Sequence, residues 1–175
     1  MKTVTKLVGI IAIIGFAMVA CDDGSGKNED SSLNGTWVPQ GLTQGDMSFE
    51  YKFNNGSFEE LMNNSPFEKG TYTTSGNKLT ISISHIYGQN IMTEMMEIEL
   101  QAKWYTVTEF FNALKNALLN EGMTEEGWAG IESMIQQQIQ TGFVYTYSVS
   151  GNTLTLTMDS QFGQTGTQTV TLTRK

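Results

Sequence analysis

The sequence predicts an all-β fold: an antiparallel barrel of eight or nine short strands, with a two-helix hairpin inserted late in the chain. Three observations point there. Apolar residues alternate with Thr and Ser over several short runs, Gly and Asn punctuate those runs, and one late stretch changes to helical spacing.

The alternation is clearest in residues 78–87, where Leu79, Ile81, Ile83, His85 and Tyr87 are separated by Thr80, Ser82 and Ser84. In residues 47–53, Met47, Phe49, Tyr51 and Phe53 alternate with Ser48, Glu50 and Lys52. Further on, Phe143, Tyr145, Tyr147 and Val149 share one face, as do Leu154, Leu156 and Met158, and then Val170 and Leu172. Successive strand side chains point to opposite faces, so this pattern describes a sheet with one apolar and one wet face. Asn55-Gly56 suits a type I′ hairpin, and Gly76-Asn77 and Gly151-Asn152 suit tight loops that need positive φ. The stretch TYTTSGNKLTIS at 71–82 matches TYSVSGNTLTLT at 146–157 in seven of twelve positions. Two hairpins converging on the same turn explain this more simply than a repeat architecture, which would need more copies.

Between these regions a helical insert is expected at about 107–141. Thr108 can cap a helix to about Asn120, with Phe110, Phe111, Leu114, Ala117 and Leu118 on one face and Gly122 beyond its end. Thr124 can cap a second, with Trp128, Ile131, Ile135 and Ile139 at helical spacing and Gly142 as terminator. Residues 91–105 fit both periods, and the strand phase through Met92, Met96, Ile98, Leu100, Ala102 and Trp104 is preferred.

The N-terminus reads differently. Lys2 and Lys6 precede the uncharged run LVGIIAIIGFAMVA at 7–20. That run is short of the roughly 20 apolar residues of a membrane span, but it suits a secretory signal peptide over residues 1–20. Met18-Val19-Ala20-Cys21 resembles the lipobox of bacterial lipoproteins, with Met18 where that family usually has Leu. The resemblance implies cleavage before Cys21 and lipid on its thiol, and hence attachment to a membrane of the bacterial cell envelope, with the outer membrane expected. The bland alternative is a secreted protein with a stray thiol. However, the chain's single cysteine stands at the cleavage position. Residues 21–33, rich in Asp, Gly and Ser with Leu33 the lone apolar residue, are expected to be a flexible tether. Residues 34–175 would then form the barrel domain.

Cleavage would remove Lys2 and Lys6 and no acid, leaving eight basic against 18 acidic residues and moving the net charge from −8 to −10. Such a surface excludes nucleic acid as a partner, since phosphates demand basic groups. It also puts membrane attachment on the lipid at Cys21 and not on headgroup charge.

Gly35-Thr36-Trp37 at the domain start and Arg174 at its end resemble the lipocalin-like, or calycin, barrel family, where a G-x-W motif opens the first strand. The GTW triplet, the SGN hairpins and KWYT at 103–106 look more closely like small lipocalin-like lipoproteins of bacteria with two membranes. The resemblance implies that the last-strand basic residue packs over the tryptophan and closes the barrel base. Arg174 is in phase with Val170 and Leu172, as that role requires. The late helical insert departs from the family's fatty-acid-binding members, whose helices follow the first strand.

Catalytic chemistry is sparse. The chain has one histidine, His85, so a histidine-rich metal site within it is impossible, and no metal or cofactor is expected. His85 lies in the apolar phase of its run, which predicts an interior, hydrogen-bonded side chain. A Ser84–His85 nucleophile pair would put neighbouring strand residues on opposite faces. Glu59-Glu60, Glu97, Glu99 and Glu125-Glu126 read as solvated surface. The expectation is a non-enzymatic, lipid-anchored barrel that binds a small apolar molecule, with Phe53, Ile83, His85 and Tyr147 as cavity wall. Phe110, Phe111, Leu114, Trp128, Ile131 and Ile135 would form a lid. The alternative is a surface-displayed module with a packed, ligandless barrel that binds a protein partner.

Overall fold

The structure, a computed structural model, describes residues 30–41, 48–90, 93–94, 96–130, 132, 143–159 and 167–175. The strands are β1 (Gly35–Pro39), β2 (Phe49–Asn54), β3 (Ser57–Met62), β4 (Ser65–Ser75), β5 (Lys78–Tyr87), β6 (Trp104–Thr106), β7 (Phe143–Ser150), β8 (Thr153–Asp159) and β9 (Thr167–Arg174). Eight of them close a barrel in which every neighbour is antiparallel. The chain meanders from β1 to β5 and from β7 to β9, β5 pairs with β7, and β9 returns to β1. This closed, all-β architecture is compatible with a lipocalin-like fold. β6 is extra: β5 pairs through Lys78–Ile81 with β7 and through His85–Tyr87 with β6.

The turns follow from residues that tolerate positive φ. Asn55 and Gly56 adopt φ of 45° and 81°, and Gly76 and Gly151 both adopt 58°. The similar segments at 71–82 and 146–157 thus become two similar hairpins, β4–β5 and β7–β8. A further pair, Asn63 and Asn64 with φ of 53° and 61°, joins β3 to β4, a hairpin the hydrophobic pattern does not announce.

The alternating apolar residues fill the barrel. Trp37, Phe53, Phe58, Leu79, Ile81, Ile83, Tyr145, Leu154 and Leu172 are all buried, and Phe53 lies edge-on to Tyr72 at 5.1 Å. Burial of such side chains contributes about 1.5–3 kcal/mol each and is what holds a barrel without disulfides together.

Three expectations change. Among the described residues of 91–105, where the sequence predicts a strand, only the end of the segment pairs, as β6. Asn90 and Thr93, both buried, form a reciprocal box, with each backbone N–H donating to the other's side-chain oxygen at 3.1 and 3.2 Å. That box starts a helical turn, Glu94 N–H to Asn90 O, and local bonding of this kind competes with a strand ladder. Glu97 then takes φ of 59°, and Ile98 N–H donates to Thr93 O at 2.8 Å as the turn ends.

The helix α1 (Val107–Asn120) begins two residues earlier than Thr108 implies. Thr106 is the cap, accepting from Glu109 N–H while the Glu109 carboxylate accepts from Thr106 N–H. Thr124 does cap the following helical residues, 125–130, by accepting from Gly127 N–H at 3.0 Å.

Residues 30–33, expected within the tether, are folded. Ser31–Leu33 form a 3-10 turn capped by Asp30, and Leu33 is fully buried in the core. One buried apolar side chain, with the polar groups on either side of it, docks this segment on the barrel.

Candidate functional site

The barrel has two unlike ends. At the end formed by the β2–β3, β4–β5 and β7–β8 turns, residues 30–34 make a plug. Trp37 Nε1–H donates to Leu33 O at 2.7 Å, and Arg174 donates to Ser32 O at 2.7 Å and Asn34 O at 3.1 Å. The structure brings the two predicted closure residues together: Arg174 Cζ lies 4.5 Å from the Trp37 ring centroid, and the two pair across β1 and β9. The Asn34 side-chain oxygen accepts from Tyr72 OH at 3.0 Å and from Asn55 N–H at 2.9 Å. Asp30 accepts from Tyr147 OH at 2.8 Å, and its bonds from Ser32 hold its carboxyl below the usual carboxylate range. Tyr147, expected in the cavity wall, is therefore part of this plug.

At the other end α1 packs against β5 and β6. Phe110, Phe111, Leu114 and Leu118 are buried, with Phe110 edge-on to Tyr105 at 6.3 Å and to Phe111 at 5.5 Å. Trp128 is buried as well, and Lys115 reaches Glu125 at 2.9 Å, tying α1 to the second helical segment. Ile131, Ile135, Gly142 and Cys21 lie outside the described residues.

Phe53 and Ile83 are buried in the barrel, but His85 is not on their face. On β5 the register passes from Gly70↔Ile83 to Lys69↔His85, so Ser84 is an extra residue in a β-bulge. The bulge shifts the phase: Ile86 takes the interior position, while Ser84 is exposed and His85 half-buried. It also overturns the argument that adjacent strand residues cannot meet, because Ser84 Oγ lies 2.8 Å from His85 Nδ1. Both line an open outer groove of about 470 Å³ with Lys52, Asn54, Glu59 and Lys69, where Lys52 pairs with Glu59 at 3.3 Å. Gly70 is needed here, since a Cβ would sit 1.8 Å from Ser82 O.

The unexpected feature is inside. Glu60 and Glu68 are paired across β3 and β4, and both are fully buried, against the expectation of a solvated Glu59-Glu60. Their carboxyls hydrogen-bond each other, yet Glu60 Oε2 and Glu68 Oε1 have no hydrogen-bond partner among the described residues. Burial pushes Glu60 up to about 8, and burial together with the neighbouring Glu60 carries Glu68 well above the carboxylate range. Tyr51, opposite Glu60 on β2, and Tyr145 on β7 lie close enough for these carboxyls to raise them too, after burial itself.

The sequence does hold a trace of Glu60, in phase with Phe58 and Met62 as an acid within an apolar face. Glu68 is harder to see. Here the register skips Phe67 at a bulge, so Phe67 and Glu68 are both buried although adjacent. Among the described residues no group of three His, Cys, Asp or Glu could hold a metal.

Comparisons of the chain with protein-family models, curated proteins and solved structures return no match.

Proposed function

We propose that this chain is a lipid-anchored binding protein of the bacterial cell envelope, whose lipocalin-like barrel takes a small, mainly apolar molecule. Lipid on Cys21 holds it at the membrane, and the charge of the chain plays no part in that attachment. The reading is carried by the asymmetry of the barrel. One end is stoppered by the Asp30–Asn34 plug under Trp37 and Arg174, whereas α1 rests on β5 and on β6, which pairs with the part of β5 far from the β4–β5 turn. A ligand would pass at the helical end, with Phe110, Phe111, Leu114 and Trp128 as the cover that shifts and Gly122, at φ of 92°, in the connection.

The alternative, a protein-interaction module, draws less support. Val144 is the one exposed large hydrophobic among the described residues, so they offer no apolar patch for docking. Titration with the neutral fluorophore N-phenyl-1-naphthylamine tests the binding reading. Saturable enhancement in the wild type that is weakened by Phe111→Asp supports it, and no saturable binding favours the interaction module.

A further inference from the structure

We propose that the ligand carries a protonated amine, seated against the Glu60–Glu68 carboxyl pair inside the barrel; this rests on the binding role argued above. Two acids placed side by side in an apolar core are an unusual expense. Each unpartnered carboxyl oxygen leaves its desolvation uncompensated, and either position could hold Met or Leu. Glu60 Oε2 and Glu68 Oε1 are the oxygens left over after the two carboxyls bond each other. The buried polar and charged residues among those described are Glu60, Glu68, Asn90 and Thr93, so the described protein supplies no buried cation to answer them. What the two left-over oxygens lack is donors, and any carboxylate formed there would lack a counter-charge.

A primary ammonium supplies both. It has three N–H donors and a compact charge, enough to reach the two vacant oxygens at once. A hydroxyl brings a single donor and no charge, and a carboxylate brings acceptors alone. The surroundings suit the remainder of such a ligand. The Tyr51 and Phe58 rings stack 6.4 Å apart beside Glu60, and Tyr145 faces the pair from β7. The pair also lies on the side of the barrel where β6 and α1 sit. Glu68 pairs with Ile86, and Ile86 pairs with Tyr105 on β6, the strand that leads into α1.

Binding carries a proton balance. At neutral pH the empty pair holds its protons. An ammonium entering as RNH3+ displaces one of them to solvent and leaves one carboxylate, one carboxylic acid and the cation. The groups facing this exchange are Tyr51 from β2, Tyr145 from β7 and the two acids themselves. Amine affinity should therefore rise with pH through neutrality.

Calorimetry with octylamine and octanol, which match in length, tests this on the purified protein. The wild type should bind octylamine at least about tenfold more tightly than octanol at pH 8. Repetition in buffers of different ionisation enthalpy should show about one proton released per amine. The Glu60→Gln/Glu68→Gln variant should lose the amine preference and keep its octanol binding, which also reports that it is folded. Equal binding of both probes, or an amine preference that survives in the variant, overturns the amine assignment and leaves the apolar binding role standing. Binding of neither probe overturns both.

Discussion

Glu60 and Glu68 make the stability of this barrel fall as the solution becomes basic, over a range where most proteins are indifferent. In the unfolded chain Glu60 titrates near 4.5, and in the barrel burial holds it up to about 8. Between those values the folded state binds a proton that the unfolded state has released, so stability decreases as pH rises. The stabilisation is fully present below about pH 4.5 and is lost as the pH passes the folded value. At about 1.4 kcal/mol per unit, the Glu60 shift alone corresponds to roughly 5 kcal/mol, comparable to the whole stability of a small domain. Ligand-free wild type should lose several kcal/mol between pH 5 and pH 9, read as urea midpoints from tryptophan fluorescence. The Glu60→Gln/Glu68→Gln variant keeps the shape of both side chains and cannot ionise, so its midpoint should stay nearly level. A wild-type midpoint that is flat or rises across that interval would refute the burial of the pair in the apolar interior.

Arg174→Ala should cost about 1–3 kcal/mol in the same urea assay, because Ser32 and Asn34 lose their donor and the Trp37 face loses its cover. Arg174→Lys should recover only part of this, since a single ammonium cannot copy the planar fork over the ring. At the other end of the chain, Cys21→Ser should move the protein out of the membrane fraction and abolish its labelling by radioactive palmitate. Continued membrane attachment of the variant, with no label on the wild type, would refute the anchor.

Wherever the chain obeys period two, its structure can be read directly from the residues. Residues 78–87 are β5 end to end, and the three Gly- or Asn-containing turns fall where positive φ is cheap. The meeting of Trp37 and Arg174 follows from their places on the first and last strands of a barrel that must close. Within the strands, the departures arise where local bonding or a bulge interrupts the period. One extra residue at Ser84 turns His85 out of the core and brings it to its neighbour's hydroxyl. The Asn90–Thr93 box takes up backbone groups that a strand would need. The skipped Phe67 hides the burial of Glu68, and so hides the partner that makes Glu60 significant. Docking of residues 30–33 depends on a tertiary pocket for Leu33, and a polar sequence around one leucine gives little sign of that pocket.

Titration of the purified protein with N-phenyl-1-naphthylamine bears most directly on the binding role. The barrel described here should give saturable fluorescence enhancement at about one site per chain. Phe111→Asp, which puts a charge into the buried apolar face of α1, should weaken it. A folded wild type that shows no saturable enhancement would contradict the account.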